Sequence, residues 1–193
     1  MLLLYPTETL YALGVDALDH DALTALYTLK ERDLCKPASW LVRGLEDIRR
    51  YAEVSSLAER LAARFLPGSL TLVLPALISV SDAVVAPDRT IAFRISSDPV
   101  AQGVIAEFME EHDAPLTCTS ANVSGSPTLP TPGEILQQFG PRARMITRVI
   151  DDGPRKGLAS TIVRVIGEEF SLLREGDISE EAIRAVAGVP SLL

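Results

Sequence analysis

Short apolar runs recur along this chain, and most are separated by longer stretches with apolar residues at helical spacing. That interleaving limits the fold more than any other feature. The run Leu2–Tyr5, stopped by Pro6, reads as a buried strand. Leu70–Leu74, Thr90–Ile95, Pro115–Ser120, Met145–Ile150, Thr161–Ile166 and Phe170–Leu173 read the same way. Between them lie helix signatures. Asp19-His-Asp21 caps a helix whose apolar face is Leu23, Leu26 and Tyr27. Leu57, Leu61 and Phe65 form a second stripe, ended by Pro67-Gly68. Asp98-Pro99 starts a third helix, running through Val100, Val104, Ile105, Phe108 and Met109. Thr131-Pro-Gly-Glu134 is a capping box for a short helix to Phe139, and Ser179-Glu-Glu caps a last one that stops at Gly188. Interspersed strands and helices, with consecutive strands late in the chain, predict an α/β fold. The expectation is a single domain over residues 1–193, with a twisted mixed β-sheet flanked by helices.

Composition narrows the function. Of 193 residues, 47% are hydrophobic and 23% charged, enough for a full core without disulfide staples. The formal net charge is −8, which excludes a surface that wraps nucleic acid but leaves room for a local basic pocket. The lysines are Lys30, Lys36 and Lys156, and two of them fall within one short segment. Cys35 and Cys118 belong to no metal-spaced set, and His20 and His112 lie far apart, so no structural zinc site is expected. Few cysteines and no secretory leader predict a cytoplasmic protein with free thiols. Pro75 and Asp82 interrupt the most apolar later stretch, so no membrane association is expected.

There is no GxGxxG, Walker A or GxSxG motif, so nothing points to a dinucleotide fold, a P-loop or a serine nucleophile. Four polar clusters remain, each beside a strand or helix end, where ligands of open α/β sheets gather. Pro6-Thr-Glu-Thr9 is either a ligand-facing set of hydroxyls or an ordinary turn. Lys30, Arg32 and Lys36 either converge on phosphate or complement a helix dipole. Thr117-Cys-Thr-Ser-Ala-Asn-Val-Ser-Gly125 offers small side chains and hydroxyls that admit a ligand to the backbone. Ala159-Ser-Thr-Ile162 and Leu173-Arg-Glu-Gly176 form the fourth. Lys30 continues the apolar stripe of its helix, so it either snorkels outward or meets an anion.

Taken in order, these segments resemble the YrdC-like family, and within it the threonylcarbamoyl-AMP synthases. The matching pieces are Tyr5-Pro-Thr-Glu-Thr9 with Tyr11-Ala-Leu-Gly14, Lys30-x-Arg32 with Lys36-Pro37, and Pro67-Gly-Ser-Leu-Thr-Leu72. They continue with Phe93-Arg-Ile95, Thr119-Ser-Ala-Asn122 with Ser124-Gly125, Ser160-Thr-Ile-Val163 and Leu173-Arg-Glu-Gly176. The resemblance implies a nucleotidyltransferase that joins L-threonine, bicarbonate or CO2, and ATP into threonylcarbamoyl-AMP and pyrophosphate. A separate threonylcarbamoyl transferase would then modify tRNA, with at most a weak tRNA contact made here. The family's tetrad falls on Lys30, Arg32, Ser120 and Asn122, which would be catalytic. With Lys36, Thr119 and Arg174 they would bind ATP, and Thr7, Arg94 and Ser160 would surround threonine. Mg²⁺ would come on the ATP phosphates, with no protein metal site and no organic cofactor. The alternative is a paralogue that binds nucleotide or RNA without this synthesis. The chain departs from the family pattern at Glu31 and Asp33, where Gly and Pro are common, and at Ala12, Ser96 and Cys118, where Gly, Pro and Ser are usual.

Overall fold

The computed structural model describes residues 1–33 and 37–188. In chain order the elements are β1 (Leu3–Pro6), β2 (Tyr11–Gly14), α1 (His20–Lys30), β3 (Ser39–Leu41), α2 (Leu45–Arg49), α3 (Ser56–Phe65), β4 (Leu70–Pro75), β5 (Thr90–Arg94) and α4 (Pro99–His112). There follow β6 (Leu116–Ser120), α5 (Pro132–Phe139), a 3-10 turn (Gly140–Met145), β7 (Arg148–Val149), β8 (Thr161–Ile166), β9 (Glu169–Arg174) and α6 (Glu180–Ala187). The strands of the described residues form one sheet in the order β7-β1-β2-β6-β3-β5-β4-β8-β9. Parallel pairings (β1 with β7, β3 with β5, β4 with β8) sit among antiparallel ones, so the sheet is mixed, as the sequence pattern predicts.

Helix boundaries follow the sequence signals closely. Asp19 accepts from the amides of Asp21 and Ala22, and Asp98 from those of Val100 and Ala101, each closing a helix start. Thr131 caps α5 through the amide of Glu134, and Ser179 caps α6 through that of Ala182. Three elements were not anticipated. β2, β3 and α2 are too short to carry a periodic signal; β2 pairs with its neighbour β1, and both β2 and β3 also pair with the distant β6. The apolar segment Met145–Ile150 forms the end of the 3-10 turn and only the short β7.

Strand alternation sets where the site can be. One face of the sheet is largely apolar: Leu4, Leu13, Trp40, Leu72, Phe93 and Val163 all join the larger core cluster with residues of α1, α3, α5 and α6, while β6 places Thr117 and Thr119 beside them. On the other face, α4 covers only part of the sheet, burying Leu3, Tyr5, Ala12, Leu41 and Leu116 under Ala101, Val104, Ile105 and Phe108. Past the edge of α4, residues of that second face are small or polar: Ser39, Thr71, Ala92, Arg94 and Ser120. A cavity forms there because no apolar helix fills it.

Candidate functional site

The cavity has a volume of about 270 Å³. Its lining brings together Thr7, Thr9, Arg32, Arg94, Thr119, Ser120, Ser160 and Arg174. A more open groove of about 480 Å³ is lined by Lys30, Glu31, Arg32, Asp33, Ser120, Asn122, Ser124 and Gly125. Arg32 and Ser120 line both spaces, so the two meet at those side chains. All of the residues singled out from the sequence therefore lie along one site, except Lys36, which falls outside the described residues. Cys35 falls outside them as well. Cys118 lines the cavity, is not in a disulfide, and has its pKa raised by burial.

Lys30 neither snorkels out nor faces a side-chain acid. It is 1% exposed, and its Nζ donates to the carbonyls of Asn122, at 2.8 Å, and Ser120. The amide of Ser124 returns a 2.8 Å bond to the Lys30 carbonyl. Lys30 thus staples the end of α1 to the loop after β6. Burial, reinforced by the charge of Arg32, lowers its pKa from 10.5 to about 7. Ser120 and Asn122 stiffen the same loop. The Ser120 hydroxyl bonds Asn122 Oδ1 at 2.6 Å, and Asn122 Nδ2 donates to the carbonyls of Val123 and Ser126 at 3.0 and 2.8 Å. Arg32 reaches across to the Pro37 carbonyl at 3.1 Å and to the Thr119 hydroxyl at 3.4 Å.

Glu31 has a clear local role. It closes α1 in the left-handed conformation, with φ 51°, a position glycine adopts without strain. Its carboxylate pairs with Arg142 of the 3-10 turn, so its charge is met there rather than left beside Arg32. Glu31→Gly should therefore stabilise the fold slightly. It removes about 1 kcal/mol of left-handed strain and forfeits an exposed ion pair that contributes less. Urea unfolding measures this; a loss above about 1 kcal/mol would mean that the pair anchors the 3-10 turn.

At the inner end, Arg94 is 7% exposed and its guanidinium touches the Thr9 hydroxyl at 3.3 and 3.4 Å. It also pairs with Glu8, whose second oxygen accepts from Ser96. The sequence reading suited Arg94 to a bound carboxylate, and the structure adds that it already holds one from its own chain. The Ser96 departure explains how: a proline there could not donate to Glu8. Arg94 Nε is buried without a protein partner. Thr7 is largely committed to its own turn, bonding the Leu10 carbonyl at 2.6 Å and Thr9 at 3.0 Å. Ser160 bonds Thr71 at 2.8 Å, and Arg174 donates to the Ser160 carbonyl at 3.1 and 2.7 Å. Burial and then the charge of Arg94 lower the Arg174 pKa. Gly176 makes this clasp fit, since a Cβ there would lie 2.0 Å from the Ala159 carbonyl oxygen.

Sequence reasoning gave no site role to Thr71 and Ser39, and it held Glu8 and Thr9 only as members of the polar segment Pro6-Thr-Glu-Thr9. The signal for Thr71 was its place between Leu70 and Leu72, a polar residue on the opposite face of a core strand. Among the described residues no group of three His, Cys, Asp or Glu is placed to hold a metal ion. None of their helices is long and apolar enough to cross a membrane.

In sequence and fold the chain is similar to known proteins. A model of the Sua5, YciO and YrdC proteins, described as telomere recombination, matches residues 1–176. A threonylcarbamoyl-AMP synthase of Bacillus subtilis is 35% identical over 191 residues, covering 95% of this chain and 52% of the relative. One from Pyrococcus abyssi is 33% identical over 189 residues, covering 97% of this chain and 54% of the relative. The crystal structure of P. abyssi Sua5 complexed with L-threonine superposes with a TM-score of 0.85 at 32% identity, over 97% of this chain and 54% of that one. The chain spans about half the length of these relatives.

Proposed function

The chain belongs to the Sua5/YciO/YrdC family, and from that premise we propose that it makes threonylcarbamoyl-AMP and pyrophosphate from L-threonine, bicarbonate or CO2, and ATP. The observation that carries this reading is the pair of neighbouring spaces that share Arg32 and Ser120 in their walls. An acidic chain of net charge −8 gathers Lys30, Arg32, Arg94 and Arg174 along them. Such convergence suits a polyanion beside a small carboxylate. Two relatives matched along nearly all of this chain bear the name of this activity, and a similar structure holds L-threonine.

In this proposal the outer groove takes the triphosphate, with Lys30, Arg32, Ser120 and Asn122 as the catalytic set. Thr119 and Arg174 add ATP contacts, and the inner cavity takes threonine among Thr7, Arg94 and Ser160. Threonine carboxylated on its amine supplies an oxygen that attacks the α-phosphorus. The bond to pyrophosphate breaks as the new P–O bond forms. No protein nucleophile is needed, in keeping with a Cys118 thiol whose pKa burial raises. Arg32 and the Lys30 ammonium offset the charge on the departing pyrophosphate, and the stiffened loop after β6 keeps them in place without reorganisation. Mg²⁺ carried by the ATP phosphates, when bound, supplies further charge neutralisation. A downstream transferase receives the product for tRNA modification in the cytoplasm, and any tRNA contact here is weak because of the acidic surface.

The test is pyrophosphate release with ATP, threonine, bicarbonate and Mg²⁺. Release that requires threonine supports the proposal. ATP binding without any threonine-dependent release, over a range of Mg²⁺, would instead favour a nucleotide-binding paralogue.

A further inference from the structure

The segment from Asp151 to Ser160 runs between β7 and β8 and forms one wall of the cavity through Ala159 and Ser160. It is held across the β1–β2 turn at successive points. The buried Tyr11 hydroxyl donates to the Gly153 carbonyl at 2.8 Å and accepts from the Asp152 amide at 3.0 Å. The Gly157 amide donates to the Thr9 carbonyl at 2.9 Å, and a Cβ on Gly157 would stand 2.6 Å from that oxygen. Between these points lies Arg155. Its amide bonds the Pro130 carbonyl at 2.9 Å. Its Nε donates to the Thr7 carbonyl at 3.1 Å, and its Nη2 pairs with Asp98 at 3.1 Å and Asp152 at 2.6 Å. The Arg155 and Asp98 side chains are 18% and 9% exposed, so solvent screens this pair little. One guanidinium therefore joins the turn carrying Thr7 and Thr9, the N-cap of α4 and the wall segment. Thr9 in turn touches Arg94.

We propose that Arg155 is a positioning residue for the amino-acid end of the site. It fixes the Thr7–Thr9 turn, and so the hydroxyls and the Arg94 guanidinium, without touching substrate itself. The proposal rests on the synthase reading for its kinetic consequence, but its structural content does not. Lysine cannot replace the arginine, because an ammonium lacks the planar fork that spans a carbonyl and two carboxylates at once.

The test uses Arg155→Lys and Arg155→Ala, with Asp98→Asn as a milder variant that keeps the α4 cap through Oδ1. The Arg155 variants should raise KM for threonine by about tenfold while kcat and KM for ATP stay within about twofold. Asp98→Asn should shift KM for threonine the same way by less. Equal rises in both KM values, or unchanged kinetics, would overturn the role. Amide hydrogen exchange separates this from a failure of the synthase reading, since it needs no turnover. In Arg155→Ala the amides of Thr9, Leu10 and Gly157 should exchange faster while those of α3 stay unchanged. Unchanged exchange at the turn, or faster exchange everywhere, would overturn the positioning itself.

Discussion

Replacing Arg94 with alanine is expected to destabilise the fold by about 3–5 kcal/mol and to lower threonine-dependent turnover by more than about a hundredfold. The two effects have different origins. Stability falls because Glu8, only 15% exposed in its side chain, loses its cationic partner and retains Ser96 as its hydrogen-bond donor. Turnover falls because the guanidinium proposed to meet the substrate carboxylate is gone. The double variant Arg94→Ala with Glu8→Gln separates them. An uncharged glutamine removes the stranded charge, so much of the lost stability should return while turnover stays low. Urea unfolding and pyrophosphate release read the two quantities independently. If turnover returned with stability, Arg94 would be a structural ion-pair partner and no part of the amino-acid site.

Substituting Lys30 with methionine has the second large effect, and its signature is a change in pH dependence. Methionine leaves the carbonyls of Ser120 and Asn122 without their buried donor, at a cost of about 1–3 kcal/mol per unsatisfied group. The loop that carries Ser120 and Asn122 should loosen, and nucleotide affinity should fall. In the unliganded protein the Lys30 pKa is about 7. A bound triphosphate favours the ammonium and raises that value, so binding takes up a proton. Affinity should therefore drop as pH rises above about 7, by up to about tenfold per unit, until the pKa of the bound state is reached. Free-protein stability moves the opposite way. The unfolded chain holds more protons between about 7 and 10.5, so Lys30 contributes increasing stability as pH rises through that window. Calorimetry of ATP binding in buffers of different ionisation enthalpy, above about pH 7.5 where the phosphates are already ionised, measures the uptake. Wild-type protein without proton uptake, or Lys30→Met with an unchanged pH slope, would contradict this assignment.

Much of the fold was legible because it rests on local chemistry. Asp19, Asp98, Thr131 and Ser179 cap helices as their types and spacing imply, and the longer strands follow their apolar runs. The short β2 and β3 were not, because four and three residues carry little periodic signal and both pair with the distant β6, Leu13 with Thr119 and Trp40 with Thr117. The site was legible through its basic residues and its small polar loops, read together as a family resemblance. What stayed hidden was how those residues are held. That Lys30 would spend two hydrogen bonds on carbonyls, that Glu8 would occupy Arg94, and that Arg155 would bind Thr7 all depend on contacts between distant segments. No spacing rule reports such contacts. Glu31 shows the converse: a residue that looks hostile to phosphate in sequence finds its countercharge in Arg142 only when the 3-10 turn packs beside α1.

The central claim is that the groove and the cavity are two ends of one site, meeting at Arg32 and Ser120. A crystal structure with a non-hydrolysable ATP analogue, Mg²⁺ and L-threonine tests it most directly. Phosphates are expected within hydrogen-bonding reach of Lys30, Arg32 and Ser120, and the threonine carboxylate at Arg94, with the α-phosphate facing the amino acid. Nucleotide bound elsewhere, or threonine held away from Arg94 and Ser160, would contradict it.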